Sequence, residues 1–145
     1  MAMVKDKVGI VSCSGEDLPE GTISRIATRI VLEKLRPDDT VTICLPLFLA
    51  GSEDERAFAR VFPTIAVDGC DKRCAEVGVK KYSGKPVATI IISEIMKKYP
   101  HLRAKSRDKL SAEEKELALK VAEEIAGKVD QVLGRKNVKR ASVIE

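Results

Sequence analysis

Apolar and polar positions alternate along the chain in blocks that read as strand, helix, strand. Residues 8–12 (Val, Gly, Ile, Val, Ser) form a short apolar run that ends at Cys13, Ser14 and Gly15, the pattern of a buried strand meeting a loop. From Thr22 onward, Ile23, Ile26, Ala27, Ile30, Val31 and Leu35 recur every three or four positions and so share one helical face. Thr22 is the expected N-cap of this helix and Pro37 its stop. Residues 40–44 alternate and are β-branched, which predicts a second strand ending at Cys44. Ser52 and Glu55 have capping-box spacing and open a short helix through Ala57, Phe58 and Val61, closed by Pro63. A third strand over 64–67 runs into Asp68, Gly69 and Cys70, and a helix over 71–82 follows, carrying Cys74, Ala75 and Val77. Residues 87–92 are the most strand-like run, and the polar stretch 97–109 reads as a loop or short helix. A second capping box, Ser111 with Glu114, opens a long amphipathic helix whose Leu117, Ala118, Val121, Ile125 and Val129 face inward.

Strands that are apolar on both faces, joined by helices, imply a parallel sheet covered on each side. The expected fold is therefore α/β: a single-domain, three-layer α/β/α sandwich with a mostly parallel sheet of four strands or slightly more, Rossmann- or flavodoxin-like. No repeat or linker divides the chain. Residues 1–134 are read as one domain and 135–145, with Arg135, Lys136, Lys139 and Arg140, as a basic tail facing solvent or touching an anionic partner. The length of 145 residues and the 44% hydrophobic content suit one core. The 26 Lys and Arg against 22 Asp and Glu leave a net charge of only +4, and aromatics make up 3% with no Trp, which argues against a nucleic-acid binder and against disorder. No apolar run approaches the ~18 residues of a membrane span. The first seven residues lead into a strand without a signal-like apolar core, so a cytoplasmic location is expected.

In a reducing compartment four cysteines point to metal binding or redox chemistry and away from structural disulfides. Cys13, Cys44 and Cys70 each fall just past the carboxyl end of a different expected strand, the edge at which open α/β sheets bind ligands. A strand order beginning 2-1-3 makes those loops neighbours. Cys74, four residues after Cys70, is expected to project with it from the first turn of one helix. Tetrahedral zinc takes four such donors at Zn–S ~2.3 Å, and the Cys70/Cys74 spacing falls within the usual range for a ligand pair. Lys72, Arg73 and the helix start favour thiolates there, and Gly15 and Gly69 leave room for the backbone to turn and to donate to sulfur. The expected ligands are thus Cys13, Cys44, Cys70 and Cys74, with zinc as the cofactor. Two other readings stand beside this one: ordinary buried thiols, or a disulfide relay, although the Cys-x-x-Cys redox spacing is absent.

Other chemistry is poorer. Pro19 occupies the position where a Cys-x5-Arg phosphatase loop needs arginine, and Thr22 stands where a phosphate-binding loop between Gly15 and Gly21 needs lysine. His101, the single histidine, lies in a polar stretch and reads as a surface residue. Asp68 is either turn chemistry ahead of a helix or a general base beside the sulfurs, and Arg25 is either solvated or an anion contact.

The segment Asp68, Gly69, Cys70, Asp71, Lys72, Arg73, Cys74, Ala75 resembles the central motif of the DGC-domain family, which is characterised by four potential zinc-chelating cysteines. Cys13, Ser14 and Gly15, followed by Gly21, Thr22, Ser24 and Arg25, resemble that family's amino-terminal segment, and Cys44 fits its middle cysteine. The resemblance runs to about Ile92. Asp71 departs from it, standing where a proline is expected. The resemblance implies a metal site and gives no substrate. Four thiolates saturate zinc and leave no place for an activated water, so a structural, sensing or metal-handling role is expected over hydrolysis. The alternative is a thiol-dependent redox or sulfur/selenium-transfer enzyme with Cys13 or Cys70 as nucleophile; a third reading is a partner-binding module with an incidental zinc site.

Overall fold

Four strands, β1 (Val8–Ser12), β2 (Thr40–Thr42), β3 (Thr64–Asp68) and β4 (Ala88–Ile91), form one sheet in the order β2-β1-β3-β4, with every neighbouring pair parallel. They are seen in a computed structural model that describes residues 6–135. The order is the one that brings the first three strand ends side by side.

Successive side chains of each strand point to opposite faces, and each face has its own core. Val8, Ile10, Ile65, Val67 and Ile90 pack beneath α1 (Pro19–Ile30), with α6 (Ile92–Met96) and α7 (Ala112–Val132) in the same layer. Val11 and Ala66 face the other way, toward α2 (Leu45–Ala50), α4 (Phe58–Val61) and α5 (Cys74–Tyr82), where Leu45, Phe48, Ala59, Ala75 and Val79 complete a smaller core. The three-layer α/β/α architecture is as the alternating pattern predicted. The five inward residues of α7 named above are all fully buried. Among the described residues no helix is long and apolar enough to cross a membrane.

Three element boundaries differ from the sequence reading. α1 begins at Pro19, so Thr22 is not its N-cap. Proline at the first helical position supplies the right φ and lacks an N–H that would have no partner there, and Thr22 is instead buried, its hydroxyl donating to the Arg107 carbonyl at 3.3 Å. The helix runs on through a π-helical turn, Val31–Leu35, and stops at Arg36, ahead of Pro37 as expected. The second strand ends at Thr42, and the residues after it open α2, whose first turn carries Pro46. The helix expected from Ser52 is broken at Ala57 into α3 (Glu53–Arg56) and α4, although its capping box forms as read.

Two buried polar contacts fasten the long helix. Arg36 donates through Nε and Nη2 to the two carboxylate oxygens of Asp130 at 2.8 and 2.6 Å, a bidentate pair that ties the end of α1 to the end of α7. Arg135, where the sequence reading placed the start of the tail, pairs with Asp39 at 2.8 Å, and the rest of that tail, 136–145, lies outside the described residues. At the other end of α7, Glu114 is 1% exposed. One of its oxygens closes the capping box on the Ser111 N–H at 3.0 Å, and the other accepts the N–H groups of Lys105 and Ser106, both at 2.8 Å. Glu114 therefore pins the polar stretch before α7 to the helix that follows.

Burial alone would raise the Glu114 carboxyl, but the backbone donors of Ser111, Ser106 and Lys105 outweigh it and bring the group down to about 2 from 4.5. A carboxylate depressed by folding stabilises the fold above its unfolded pKa and loses that contribution as pH falls through the folded value. Urea unfolding is expected to show stability draining away between about pH 4.5 and 2. Glu114→Gln should lower stability at neutral pH by about 1–3 kcal/mol and flatten that acid limb; an acid limb as steep as wild type would mean that other carboxylates carry it.

Candidate functional site

The strand register sets the edge where three of the four cysteines emerge. Ile10 lies opposite Thr42 and Ser12 opposite Val67, so Cys13, Cys44 and the turn holding Cys70 leave three adjacent parallel strands at the same end of the sheet. Cys13 continues the β1 ladder by one bond, its N–H donating to Val67 O at 2.9 Å. It has the parity of Val11 and packs against the smaller core. The next residue, Ser14, takes a left-handed conformation with φ 50°, which turns the chain off the strand toward α1.

The start of α1 lies directly on two of the cysteine loops. A Cβ on Gly21 would sit 2.2 Å from Gly15 O and 2.6 Å from its Cα. A Cβ on Gly69 would sit 2.8 Å from the Glu20 carbonyl carbon and from Gly21 N. Backbone rests on backbone at both places, which only glycine permits. Gly69 is also held from below, its carbonyl accepting the Ser93 N–H at 3.1 Å. This packing places two polar groups on the Cys13 sulfur: the Gly69 N–H donates to Sγ at 3.3 Å, and the Ser24 hydroxyl lies 3.4 Å away. Ser24 itself is fully buried, with its hydroxyl donating to Gly21 O at 2.6 Å.

Asp68, the last residue of β3, is buried and accepts the N–H groups of Ala75 and Glu76 at 2.7 and 3.1 Å. Its carboxyl is pushed up by burial and drawn partly back by those two donors. Both oxygens thus cap the amino end of α5, the structural one of its two sequence readings. α5 begins at Cys74 and not at 71, so Cys70 and Cys74 do not share a helical turn as the spacing suggested. The physical reason is Arg73, held left-handed at φ 55°, which cannot continue a right-handed helix backward. Residues 70–73 form a turn instead, closed by Arg73 N–H donating to Cys70 O at 3.3 Å, and Asp71 lies outside the helix whose dipole it was expected to favour.

The four sulfurs divide by exposure: Cys13 and Cys70 are half-buried, Cys44 and Cys74 exposed, and all four are free thiols. The Cys74 thiol is pushed up by burial, then by the charges of Asp68, Cys13 and Cys70, so those three groups lie within electrostatic reach of it. Cys44 is the N-cap residue of α2, on the far side of β1 from that cluster. Among the described residues no three Cys, His, Asp or Glu side chains stand close enough to hold a metal ion as they are placed. Thiolates are of the donor type zinc takes, and the four cysteines share one edge of the sheet. Of the cations expected to favour thiolates, Arg73 pairs with Glu76 at 3.3 Å and Lys72 is solvent-exposed; Arg25 is solvent-exposed as well. His101 is 71% exposed and lies 4.0 Å from Glu116, a surface residue as read.

Sequence reasoning missed Ser24 as a neighbour of Cys13, and it missed the contact made by Gly21. The glycine spacing from 15 to 21 was the available signal, but it marks a close backbone approach and not a phosphate cradle.

The DGC domain family model matches the chain over residues 9–125, which takes in all four cysteines. No match was found among curated proteins or among solved structures.

Substitution at the three glycines separates crowding from simple loss of flexibility. Gly21→Ala and Gly69→Ala are expected to destabilise the fold by about 1–3 kcal/mol, as overpacking does, because the atoms they would strike are backbone. Gly15→Ala should be nearly neutral, its Cβ meeting nothing closer than 3.6 Å. Thermal melting measures all three; equal losses would show that close packing is not what the glycines serve.

Proposed function

This chain belongs to the DGC-domain family, and on that premise we propose that it binds one zinc ion through Cys13, Cys44, Cys70 and Cys74 at the carboxyl edge of its parallel sheet. The observation that carries the reading is topological. The order β2-β1-β3 delivers three cysteine-bearing loops to one edge, and the first residue of α5, Cys74, lies within electrostatic reach of Cys13 and Cys70. Thiolates held by zinc commonly accept backbone N–H bonds, and Cys13 already receives one from Gly69. When bound, zinc would draw the four sulfurs into a closed tetrahedral set, a site suited to stabilising, sensing or handing on metal. Thiols kept reduced for this purpose fit a reducing compartment such as the cytoplasm.

One observation favours a second reading, thiol-based redox or sulfur/selenium transfer. Cys13 alone among the four accepts a backbone N–H at its sulfur, from Gly69 at 3.3 Å, a contact that orients the sulfur as a nucleophile. Cys70, across the Gly69 turn, is its natural resolving partner.

Anaerobic purification separates the two. The zinc reading expects about one zinc per chain by elemental analysis, slow alkylation of all four cysteines, and release of both metal and protection by a chelator. Cys13→Ser or Cys70→Ser should reduce retained zinc well below that level. Protein that carries no metal and takes up none on addition overturns it, and Cys13 alkylating far ahead of the other three at pH 7 favours the second reading.

A further inference from the structure

Six residues between 97 and 109 are lysine or arginine, against a single acid, Asp108. Four of the six are answered from neighbouring elements: Lys97 by Glu94, Lys98 by Glu124, Lys105 by Glu113 and Arg107 by Asp17. Arg103 and Lys109 have no acidic partner among the described residues. The two differ in their surroundings, because Arg103 lines a groove and Lys109 does not.

That groove encloses about 310 Å³ between Ser93, Met96 and Lys97 on one side and Leu102, Arg103 and Ala104 on the other. Small-molecule pockets begin at roughly this volume. Its apolar part is rooted in the larger core: Leu102 is 2% exposed, and Met96 and Ala104 pack against the same cluster. The backbone is fixed on both sides of Arg103. The Tyr99 N–H donates to Met96 O at 3.1 Å and the Leu102 N–H to Tyr99 O at 2.8 Å, while the Lys105 N–H is held by Glu114. The groove is therefore built before any ligand arrives, which lowers the ordering cost of binding. Its place in the fold also points to a ligand. β4 runs directly into α6, so Ser93 stands at the carboxyl end of the fourth parallel strand. The Ser93 N–H bonds the carbonyl of Gly69, the residue before Cys70. The groove thus extends the cysteine edge by one strand, along the side of the sheet where α/β proteins take their ligands.

The lining selects the chemistry of the ligand. A guanidinium presents a planar fork of N–H donors that matches a carboxylate. The Ser93 hydroxyl has no partner among the described residues and is a further donor at the same groove. The Lys97 ammonium is already taken by Glu94 at 3.2 Å, which leaves one unanswered positive charge for one negative charge. Met96, Leu102 and Ala104 offer only carbon and sulfur beside it. We infer that this groove binds a small monocarboxylate with an apolar body, its carboxylate on Arg103 and its carbon chain along Met96 and Leu102. The site goes beyond the zinc reading and does not rest on it, since no cysteine lines the groove.

Titration of the full chain with hexanoate, followed by heteronuclear NMR, tests this. Saturable shifts are expected at the amides of Ser93, Met96, Lys97 and Leu102 to Ala104. Acetate, which has the charge without the chain, and hexanamide, which has the chain without the charge, should both bind more weakly than hexanoate. Arg103→Gln should weaken hexanoate binding about tenfold or more, the usual loss of a hydrogen bond to a charged group. Arg103 is exposed, so this variant keeps the fold. Lys109→Gln removes the other unanswered cation of the segment and should leave binding unchanged. Zinc content measured on the same samples should not respond to hexanoate, so failure of either result leaves the other standing. Absence of saturable shifts overturns the inference, as does hexanamide, acetate or inorganic phosphate binding as tightly as hexanoate. An equal loss in the Arg103 and Lys109 variants overturns it too, because it would reduce the effect to general charge attraction.

Discussion

The amino end of α1 can rest on two cysteine loops at once only because glycine stands at 21 and 69. Main chain meets main chain there at distances a single methyl group would abolish. The organisation of the cysteine edge follows from that contact. It presses the Asp68–Cys70 turn onto the end of β1, which is what puts the Gly69 N–H on the Cys13 sulfur. It also buries Ser24 behind the same atom. The chemistry available to Cys13 is thus set by packing that contains no cysteine.

Around this contact the edge is held by local backbone devices, and the rest of the fold by long-range ones. Ser14 and Arg73 both take left-handed conformations beside a cysteine, a strain of about 1–3 kcal/mol each that the surrounding structure must offset. Asp68 offsets part of it by satisfying two N–H groups at the start of α5. Among the described residues no other non-glycine residue takes a left-handed conformation. The larger core is closed by α7, fixed at one end by Glu114 and at the other by the Arg36–Asp130 fork. The larger core therefore supplies the bulk of the buried apolar residues, and the cysteine edge carries the left-handed residues and the glycine contacts.

The strands, the long final helix and the 2-1-3 order were legible because each rests on many residues acting alike. Five buried positions on α7 repeat one period, and three strands end in the same kind of loop. The starts of α1 and α5 were not, because each hinges on one residue. Pro19 takes the first helical position that the apolar pattern alone would not reveal, and a left-handed Arg73 stops α5 three residues short of its apparent start. Residues 45–50 hid a helix of six behind a strand-like lead-in, too short for periodicity to register. Glu114 was legible as half of a capping box, but its second carboxylate oxygen serves a loop whose fold no local pattern encodes. At the cysteine edge the sequence could say that the loops meet. It could not say that Cys13 and Cys70 would be half-buried while Cys44 and Cys74 face solvent, since that depends on how α2 and α5 sit.

The division into two cores also has a meaning in time. Every residue of the smaller core lies between Val11 and Val79, whereas the larger one is incomplete until Val129 has been added. On the ribosome, then, all four thiols and the layer behind them have been synthesised while the other face of the sheet is covered by α1 and still lacks α7. A nascent chain stalled before its last helix would display a finished set of sulfurs on an unfinished, sticky platform, and the arrival of that helix is what turns the platform into a protein.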